Sequence, residues 1–300
     1  MRLPWSRIRA LSAAAALALA ATVLGAAPAT AAPTPTASSA SAASSTVTSG
    51  WNDYSCRPSA AHPRPVVLVH GTMGNATDNW LLIAPYLKNR GYCVFSFDYG
   101  QVKGIPVMYG LAPAAEGVDK LKTFVDRVLT ATGTDKVDLV AHSQGSMIAR
   151  GYMKFEGGAP KVNALVAIAP NNQGTTLVGL TKLMDAVPGA RGLITMTLPG
   201  LTDQAIGSDF LKRLNEGGDT LPGIKYTIIT TKYDEIVTPH SGNYLTGPGD
   251  IHNVQLQDLC PVDASMHITV AFDRLAAHEI ANALDPANAS RTTCASVVLD

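Results

Sequence analysis

The chain alternates short apolar stretches with longer amphipathic ones, and this alternation restricts the fold more than any other feature of the sequence. Strands are predicted at 66–69, 93–97, 137–141, 164–168, 226–230 and 253–256. Helices are predicted at 79–89, 114–131, 145–155 and 268–284. Short apolar strands that alternate with helices indicate an α/β fold, with a mainly parallel central sheet covered by helices on both faces.

One segment at the end of the third strand carries a recognisable chemical pattern. Residues 141–145 read Ala-His-Ser-Gln-Gly and lie between a predicted strand and a predicted helix. A sharp strand–turn–helix crossing holds a serine in a strained backbone and exposes its hydroxyl above the sheet. Ala141 and Gly145 are small enough for the strand and helix to approach closely. We therefore predict Ser143 to be a nucleophile.

A serine hydroxyl needs a base to take its proton, and this fold expects the chain order Ser, acid, His. Asp234 follows the fifth strand and is the predicted acid, with the adjacent Glu235 as the alternative. His267 lies between the last strand and the last helix and is the predicted base. The histidine at 252 precedes its predicted strand and would face the wrong edge of the sheet. The other histidines are predicted to be surface or packing residues: His62, His240, His252 and His278.

The loop after the first strand reads His-Gly-Thr-Met-Gly and is predicted to stabilise a negatively charged oxygen. An oxyanion needs fixed donors. The backbone N–H of Gln144 is one candidate, because it follows the nucleophile. The backbone N–H of Thr72 is the second, with Met73 as the alternative.

A long segment at 171–222 interrupts the alternation and is predicted to form a cap over the carboxyl edge of the sheet. It is rich in Gly, Leu, Thr and Met. Long excursions of this kind within a compact domain are commonly functional. The predicted substrate contacts are Met73, Leu177 and Leu180, since an apolar wall suits an alkyl chain.

The first part of the chain is typical of an exported protein. Residues 1–31 combine three early arginines, an apolar run and Ala-Thr-Ala, as a signal peptide would. Residues 32–50 are mostly Ala, Ser, Thr and Pro and indicate a flexible linker. The catalytic domain is therefore expected at 51–300, in a secreted, extracellular protein.

The chain contains four cysteines, an even number, which in an exported protein favours two disulfides. Three pairings are open. The one that joins the nearest cysteines in sequence is favoured, namely Cys56 with Cys93 and Cys260 with Cys294.

The charge balance argues against several kinds of partner. The formal net charge is zero, and no basic stripe with interleaved aromatic residues is present, so nucleic acid is not an expected partner. After the first apolar run, no apolar stretch reaches the length of a membrane span. We expect no cofactor and no metal ion, and we expect a monomer.

These motifs resemble those of the secreted bacterial lipases and esterases of the lipase class 2 group, within the α/β-hydrolase superfamily. The resemblance covers about residues 56–284 and is carried by residues 67–72, 141–145, 233–239 and 266–267. It implies an α/β-hydrolase fold and hydrolysis of carboxylic esters, often triacylglycerols at an oil–water interface, without an organic cofactor. At the matching positions it supports Ser143, Asp234 and His267 as a triad, and Thr72 and Gln144 as oxyanion donors. One departure is Ser146, where relatives often have a second glycine.

Other functions remain compatible with the same motifs. A short-chain esterase or an aliphatic polyester depolymerase would use the same triad on another ester. A non-catalytic binding protein could also share the fold. It would normally lack one member of the triad, whereas here all three are available in order.

Overall fold

The computed structural model describes residues 51–190 and 198–296. The predicted signal peptide at 1–31 and linker at 32–50 lie outside these ranges. At Leu177 the backbone is described but the side chain is not.

A single parallel sheet forms the centre of the described domain. Its six strands are β1 (Val66–Val69), β2 (Val94–Ser96), β3 (Val137–His142), β4 (Val162–Ile168), β5 (Lys225–Thr230) and β6 (Asp250–Gln255). They lie in the order β2-β1-β3-β4-β5-β6, and every neighbouring pair is parallel. The predicted α/β fold with a parallel sheet is confirmed.

Helices connect these strands. They are α1 (Ile83–Asn89), α2 (Ala114–Thr132), α3 (Gln144–Phe155), α4 (Leu177–Ala186), α5 (Pro199–Thr202), α6 (Asp209–Asn215), α7 (Leu256–Leu259) and α8 (Arg274–Leu284). Short 3₁₀ turns lie at Asp78–Trp80, Ala159–Lys161, His240–Asn243 and Thr269–Phe272.

The sheet separates two apolar layers. Along β1, Val67 and Val69 face one layer while Val66 and Leu68 face the other, as the two-residue repeat of a strand requires. Helices α2 and α3 cover the first face, and α1 and α8 cover the second. Because both faces are buried there, strands β1 to β4 are mainly apolar and do not alternate, whereas β6 at the edge is polar.

Two predicted helices are shorter than expected, for identifiable reasons. Helix α1 starts at Ile83 and not at 79, because Pro85 has no N–H to donate to the preceding turn and is tolerated only in the first turn of a helix. The last helix starts at Arg274 because Asp273 caps it, with its side chain accepting from Leu275 N–H at 2.7 Å.

The sixth strand also begins earlier than predicted, at Asp250 and not at 253. His252 therefore lies within β6 and is exposed, so its predicted position before the strand is wrong. The sequence there is polar because β6 is the outermost strand, paired only with β5.

Two disulfides link the described segments. They join Cys56 to Cys93 and Cys260 to Cys294, the pairs nearest in sequence. In the described part of the chain, no helix has both the length and the apolar character needed to cross a membrane.

Candidate active site

The turn from β3 into α3 presents Ser143 at the carboxyl edge of the sheet. Ser143 has φ 53° and ψ −122°, a conformation that non-glycine residues rarely adopt. Gly145 permits the crossing, because a side chain there would overlap the Val69 carbonyl oxygen. A Cβ on Gly71 would lie 3.1 Å from Ser143 Cβ. The two glycines therefore leave room for the strained serine.

The three predicted catalytic residues come together at this edge. Ser143 Oγ lies 2.9 Å from His267 Nε2, and His267 Nδ1 lies 2.9 Å from Asp234 Oδ2. All three side chains are buried. Since a carboxylate only accepts, Nδ1 carries the ring proton and Nε2 is free to accept the serine proton. The arrangement is that of a nucleophile, a general base and an orienting acid.

The loop after β5 fixes the orientation of Asp234. Its second oxygen, Oδ1, accepts from Ile236 N–H at 3.0 Å and Val237 N–H at 2.7 Å. The rival acid, Glu235, does not reach the His267 ring and instead accepts from the His267 backbone N–H at 3.3 Å. The geometry therefore favours Asp234 over Glu235 as the group that orients the ring.

The remaining histidines that follow Asp234 lie away from Ser143. His240 Nε2 lies 3.2 Å from Gln255 Oε1, at the end of β6. His278 lies in α8, within 2.7 Å of Thr292 Oγ1.

The loop after β1 brings backbone N–H groups close to Ser143. The Met73 N–H already donates to the Tyr109 carbonyl at 2.7 Å, whereas the Thr72 N–H has no backbone acceptor among the described residues. Gln144 is the first residue of α3, and the N–H groups of a helical first turn have no partner inside the helix. In the described part of the chain, Thr72 and Gln144 thus have N–H groups without a backbone acceptor, as the predicted oxyanion donors require.

The buried ring of His70 holds the same loop in place. Its ring is fully buried and stacks on Tyr99 with 4.3 Å between ring centres. Burial lowers the pKa of His70 to about 4, so the ring is neutral at physiological pH. Its Nδ1 lies 2.8 Å from the Gly71 carbonyl oxygen. Because a carbonyl oxygen only accepts, the single ring proton lies on Nδ1.

The side chain of Gln144 connects the nucleophile to the cap, defined as residues 171–222. Its Nε2 donates to the carbonyls of Gly110 (3.0 Å) and Gly200 (2.9 Å). Its Oε1 lies 3.0 Å from the Tyr99 hydroxyl. With its side chain fixed at both ends, Gln144 holds its own N–H in place beside Ser143.

A second polar network joins the cap to the loop after β1, which carries Thr72. Gln204 Oε1 accepts from the Thr72 hydroxyl at 2.9 Å and from Asn171 Nδ2 at 3.3 Å. Ser146 donates its hydroxyl to the Ser143 carbonyl at 2.8 Å and accepts from the Asn171 N–H at 3.1 Å. The serine at 146, which departs from the expected glycine, therefore braces the turn that carries the nucleophile.

A cavity of about 220 Å³ opens beside Ser143 and His267. Its lining is mainly apolar, and includes Met73, Leu183, Val187, Ile268 and Phe272. A larger surface depression of about 590 Å³, near the Cys260–Cys294 disulfide, does not include the nucleophile. The smaller cavity is therefore the one that can present a substrate to Ser143.

The predicted substrate contacts are only partly found in the wall of this cavity. Met73 lines it. Leu180 does not; it packs in an apolar cluster with Leu183 and Ile236, and we do not retain it as a substrate contact. The Leu177 side chain lies outside the described residues. The described cap residues that line the cavity are Leu183, one helical turn after Leu180 in α4, and Ala186, Val187 and Pro188.

Some residues at the site carried no advance signal in the sequence. Asn79 and Gln204 are buried polar residues that contact His142 and Thr72, which are far away in the chain, so no local pattern marks them. Among the described residues, no group of three or more His, Cys, Asp or Glu side chains is arranged to hold a metal ion.

Together, the parallel sheet and the serine at a strand–helix turn define the α/β-hydrolase fold. The model of one family, Lipase (class 2), matches residues 63–278, and the chain belongs to that family.

Named relatives match at moderate identity. Lipase B from Pseudozyma antarctica is 25% identical over 226 residues, which is 72% of this chain and 59% of that protein. A triacylglycerol lipase from Pseudarthrobacter phenanthrenivorans is 36% identical over 96 residues, which is 30% of this chain and 28% of that protein. The chain therefore spans 59% or less of the length of these relatives.

Solved structures share the fold at lower identity. Lipase B from Aspergillus fumigatus superposes with a TM-score of 0.61 at 22% identity, covering 76% of this chain and 54% of that one. The mature lipase BlEst2 from Bacillus licheniformis gives 0.57 at 14% identity, covering 76% and 94%.

Proposed function

We propose that this protein is a secreted serine hydrolase that cleaves carboxylic esters, with triacylglycerols as its substrates. The observation that carries the proposal is the continuous hydrogen-bonded line from Ser143 through His267 to Asp234, with both distances at 2.9 Å. Membership of the class 2 lipase family supports the same reaction.

The reaction proceeds through an acyl-enzyme. His267 Nε2 removes the proton of the Ser143 hydroxyl as its oxygen attacks the ester carbonyl carbon. Asp234 orients the ring and stabilises the imidazolium that forms. The N–H groups of Thr72 and Gln144 stabilise the oxyanion. The alcohol departs with the proton from His267, and water, deprotonated by the same ring, then releases the acid.

The choice of substrate rests on the cavity and on the relatives. An apolar wall beside the nucleophile suits an acyl chain. Two relatives, from Pseudarthrobacter phenanthrenivorans and Burkholderia plantarii, are named triacylglycerol lipase. Rates on emulsified triacylglycerols, soluble short-chain esters and an aliphatic polyester would rank the three ester classes.

Secretion is supported by the two disulfides, since such bonds persist in oxidising compartments. The composition of residues 1–31, outside the described ranges, agrees with export. The amino terminus of the protein recovered from the medium of an expressing host would test cleavage after residue 31.

The decisive variant is Ser143→Ala. It should lower kcat on a nitrophenyl ester by about 10⁴-fold or more, because the triad acts as a unit. An organophosphonate should add its mass to the peptide that contains Ser143 in the wild type only. Ser241→Ala, at an exposed serine, is the matched control and should behave as wild type. Near-normal turnover by Ser143→Ala would exclude the proposed mechanism.

A further inference from the structure

The proposed base, His267, is held by its main chain as well as by its ring. Its backbone N–H donates to Glu235 Oε2 at 3.3 Å, and its backbone carbonyl lies 3.0 Å from His142 Nε2. Glu235 directly follows Asp234 in the sequence, and His142 directly precedes Ser143. The neighbours of the acid and of the nucleophile thus bind the two peptide groups that flank the base.

His142 is suited to donate to this carbonyl. Its side chain is buried, and its ring centre lies 5.2 Å from that of His267. Burial, and secondarily the neighbouring His267, lower the pKa of His142 to about 3, so the ring carries one proton at neutral pH. A carbonyl oxygen only accepts, so this proton must lie on Nε2 for the ring to bind His267.

Asn79 supports the other side of the His142 ring. Its Oδ1 lies 3.0 Å from His142 Nδ1 and also accepts from Gly71 N–H at 3.1 Å, while its buried Nδ2 has no hydrogen-bond partner in the described part of the chain. A half-turn of the amide places Nδ2 opposite the unprotonated Nδ1, at the expense of the Gly71 N–H, which then loses Oδ1 as its acceptor. Asn79 then supplies the donor that Nδ1 needs, and the Nε2 proton is left for His267.

The position of His267 explains why such support matters. His267 lies in the loop between α7 and the Thr269–Phe272 turn, where side chains supply the partners for its peptide groups. Its ring must keep its bonds to Ser143 and Asp234 at the same time. A displacement of a catalytic group by about 1 Å can lower the rate by about 100-fold.

We propose that His142 and Glu235 are positioning residues that hold the main chain of His267, so that its ring stays aligned between Ser143 and Asp234. The proposal rests on the proposed function, in which His267 is the general base. In this role both residues act through His267; His142 also lines the cavity beside Ser143, so the test must separate kcat from KM.

Pairs of variants separate each hydrogen bond from the bulk of its side chain. His142→Gln keeps an N–H donor near the position of Nε2, whereas the shorter His142→Asn keeps one only near Nδ1. Glu235→Gln keeps an acceptor for the His267 N–H, whereas Glu235→Ala removes it. We expect His142→Asn and Glu235→Ala to lower kcat by about 10- to 100-fold with KM for a short ester little changed. The two Gln variants should recover most of this loss.

Matched substitutions at exposed positions serve as controls, namely His252→Asn and Glu216→Ala. Both should keep the wild-type kcat, and thermal unfolding should verify that every variant is folded. The proposal is wrong if folded His142→Asn and Glu235→Ala keep full kcat, or if the Gln variants lose as much as their partners. Equal losses in Glu235→Gln and Glu235→Ala would mean that the charge of Glu235, and not its acceptor oxygen, supports the activity.

A measurement without turnover separates this proposal from the proposed function. The low-field proton NMR signal of His267 Nδ1–H, hydrogen-bonded to Asp234, reports the alignment of the ring. We expect it in the wild type and the Gln variants, and expect it to broaden or vanish in His142→Asn and Glu235→Ala. An unchanged signal in all variants would contradict the positioning role. A wild-type protein with the signal but without ester hydrolysis would refute the proposed function alone.

Discussion

At the scale of single residues, the site depends as much on missing side chains as on reactive ones. Ser143 adopts its strained backbone because neighbouring positions carry no Cβ. The most restrictive is Gly145, whose missing side chain leaves space for the Val69 carbonyl oxygen. The small residues of the 141–145 motif are therefore requirements of the strand–helix crossing, as the sequence predicts.

Replacing Gly145 with alanine tests this requirement. The new methyl group overlaps the β1 backbone, which cannot move without disturbing the sheet, so we expect a loss of about 3 kcal/mol or more in the free energy of unfolding. Urea denaturation measures it. Gly242→Ala is the control, because a Cβ there lies 3.3 Å from the Pro239 ring and should change stability by less than about 0.5 kcal/mol. Equal stabilities for the two variants would show that the crossing has more room than described.

At the scale of elements, the segment that leads from α7 to His267 is tied at two points. Cys260, at the end of α7, is bonded to Cys294, beyond α8, across 34 residues. Closer to His267, the Ser265 carbonyl accepts from Thr231 Oγ1 at 2.6 Å, so both ties precede His267. The disulfide thus restrains the loop of the base, whereas Cys56–Cys93 lies at the start of β2.

The two disulfides close loops of similar size, 34 and 37 residues, and so form a matched pair. Replacing either pair of cysteines by serine should lower the free energy of unfolding by about 2–4 kcal/mol. Only the loss of Cys260–Cys294 should also slow the labelling of Ser143 by an organophosphonate, measured well below the melting temperature. Equal labelling rates in both double variants would show that this disulfide does not restrain the base.

The elements that the sequence predicts best are those with a strong local pattern. Strands β1 to β5 are buried apolar runs, and each was predicted within a few residues. The starts of α1 and α8 differ from the prediction because Pro85 and Asp273 interrupt patterns that otherwise continue. The start of β6 was missed because an edge strand carries few apolar residues.

At the scale of the whole molecule, the candidate site is assembled from distant parts of the chain. Ser143, Asp234 and His267 could be picked out because each follows a strand of a parallel sheet. The roles of Asn79 and Gln204 could not, because their partners lie 63 and 132 residues away. Such contacts follow from the packed fold and leave no local trace in the sequence.

Two buried neutral histidines should make the protein sensitive to acid. Burial lowers the pKa of His70 to about 4 and that of His142 to about 3. Below about pH 6.5 the unfolded chain protonates these groups and the folded protein does not, so stability present above that pH is lost as the pH falls towards these values. Each of the two histidines should lower the free energy of unfolding by up to about 1.4 kcal/mol for each pH unit of acidification.

The comparison of wild type with His70→Asn isolates one of the two histidines. Asn cannot take up a proton, so the stability of the variant should decline less steeply than that of the wild type between about pH 6.5 and pH 5. The two slopes should differ by about 1 kcal/mol per pH unit. Asp273 has the opposite effect, because burial and the neighbouring Asp263 raise its pKa to about 6. This effect is common to both proteins and cancels in the difference between their slopes. Urea denaturation at several pH values gives the slopes. Parallel slopes would mean that His70 is protonated in the folded protein.

The chain order of the triad has a consequence for biosynthesis. A ribosome completes β3 and its nucleophile long before it reaches His267, and the disulfide that restrains the His267 loop joins Cys260 to the still later Cys294. A growing chain therefore carries Ser143 without its proposed general base. If the proposed function is correct, the producing cell holds an inert precursor until the segment that carries His267 has been made and has folded onto the sheet.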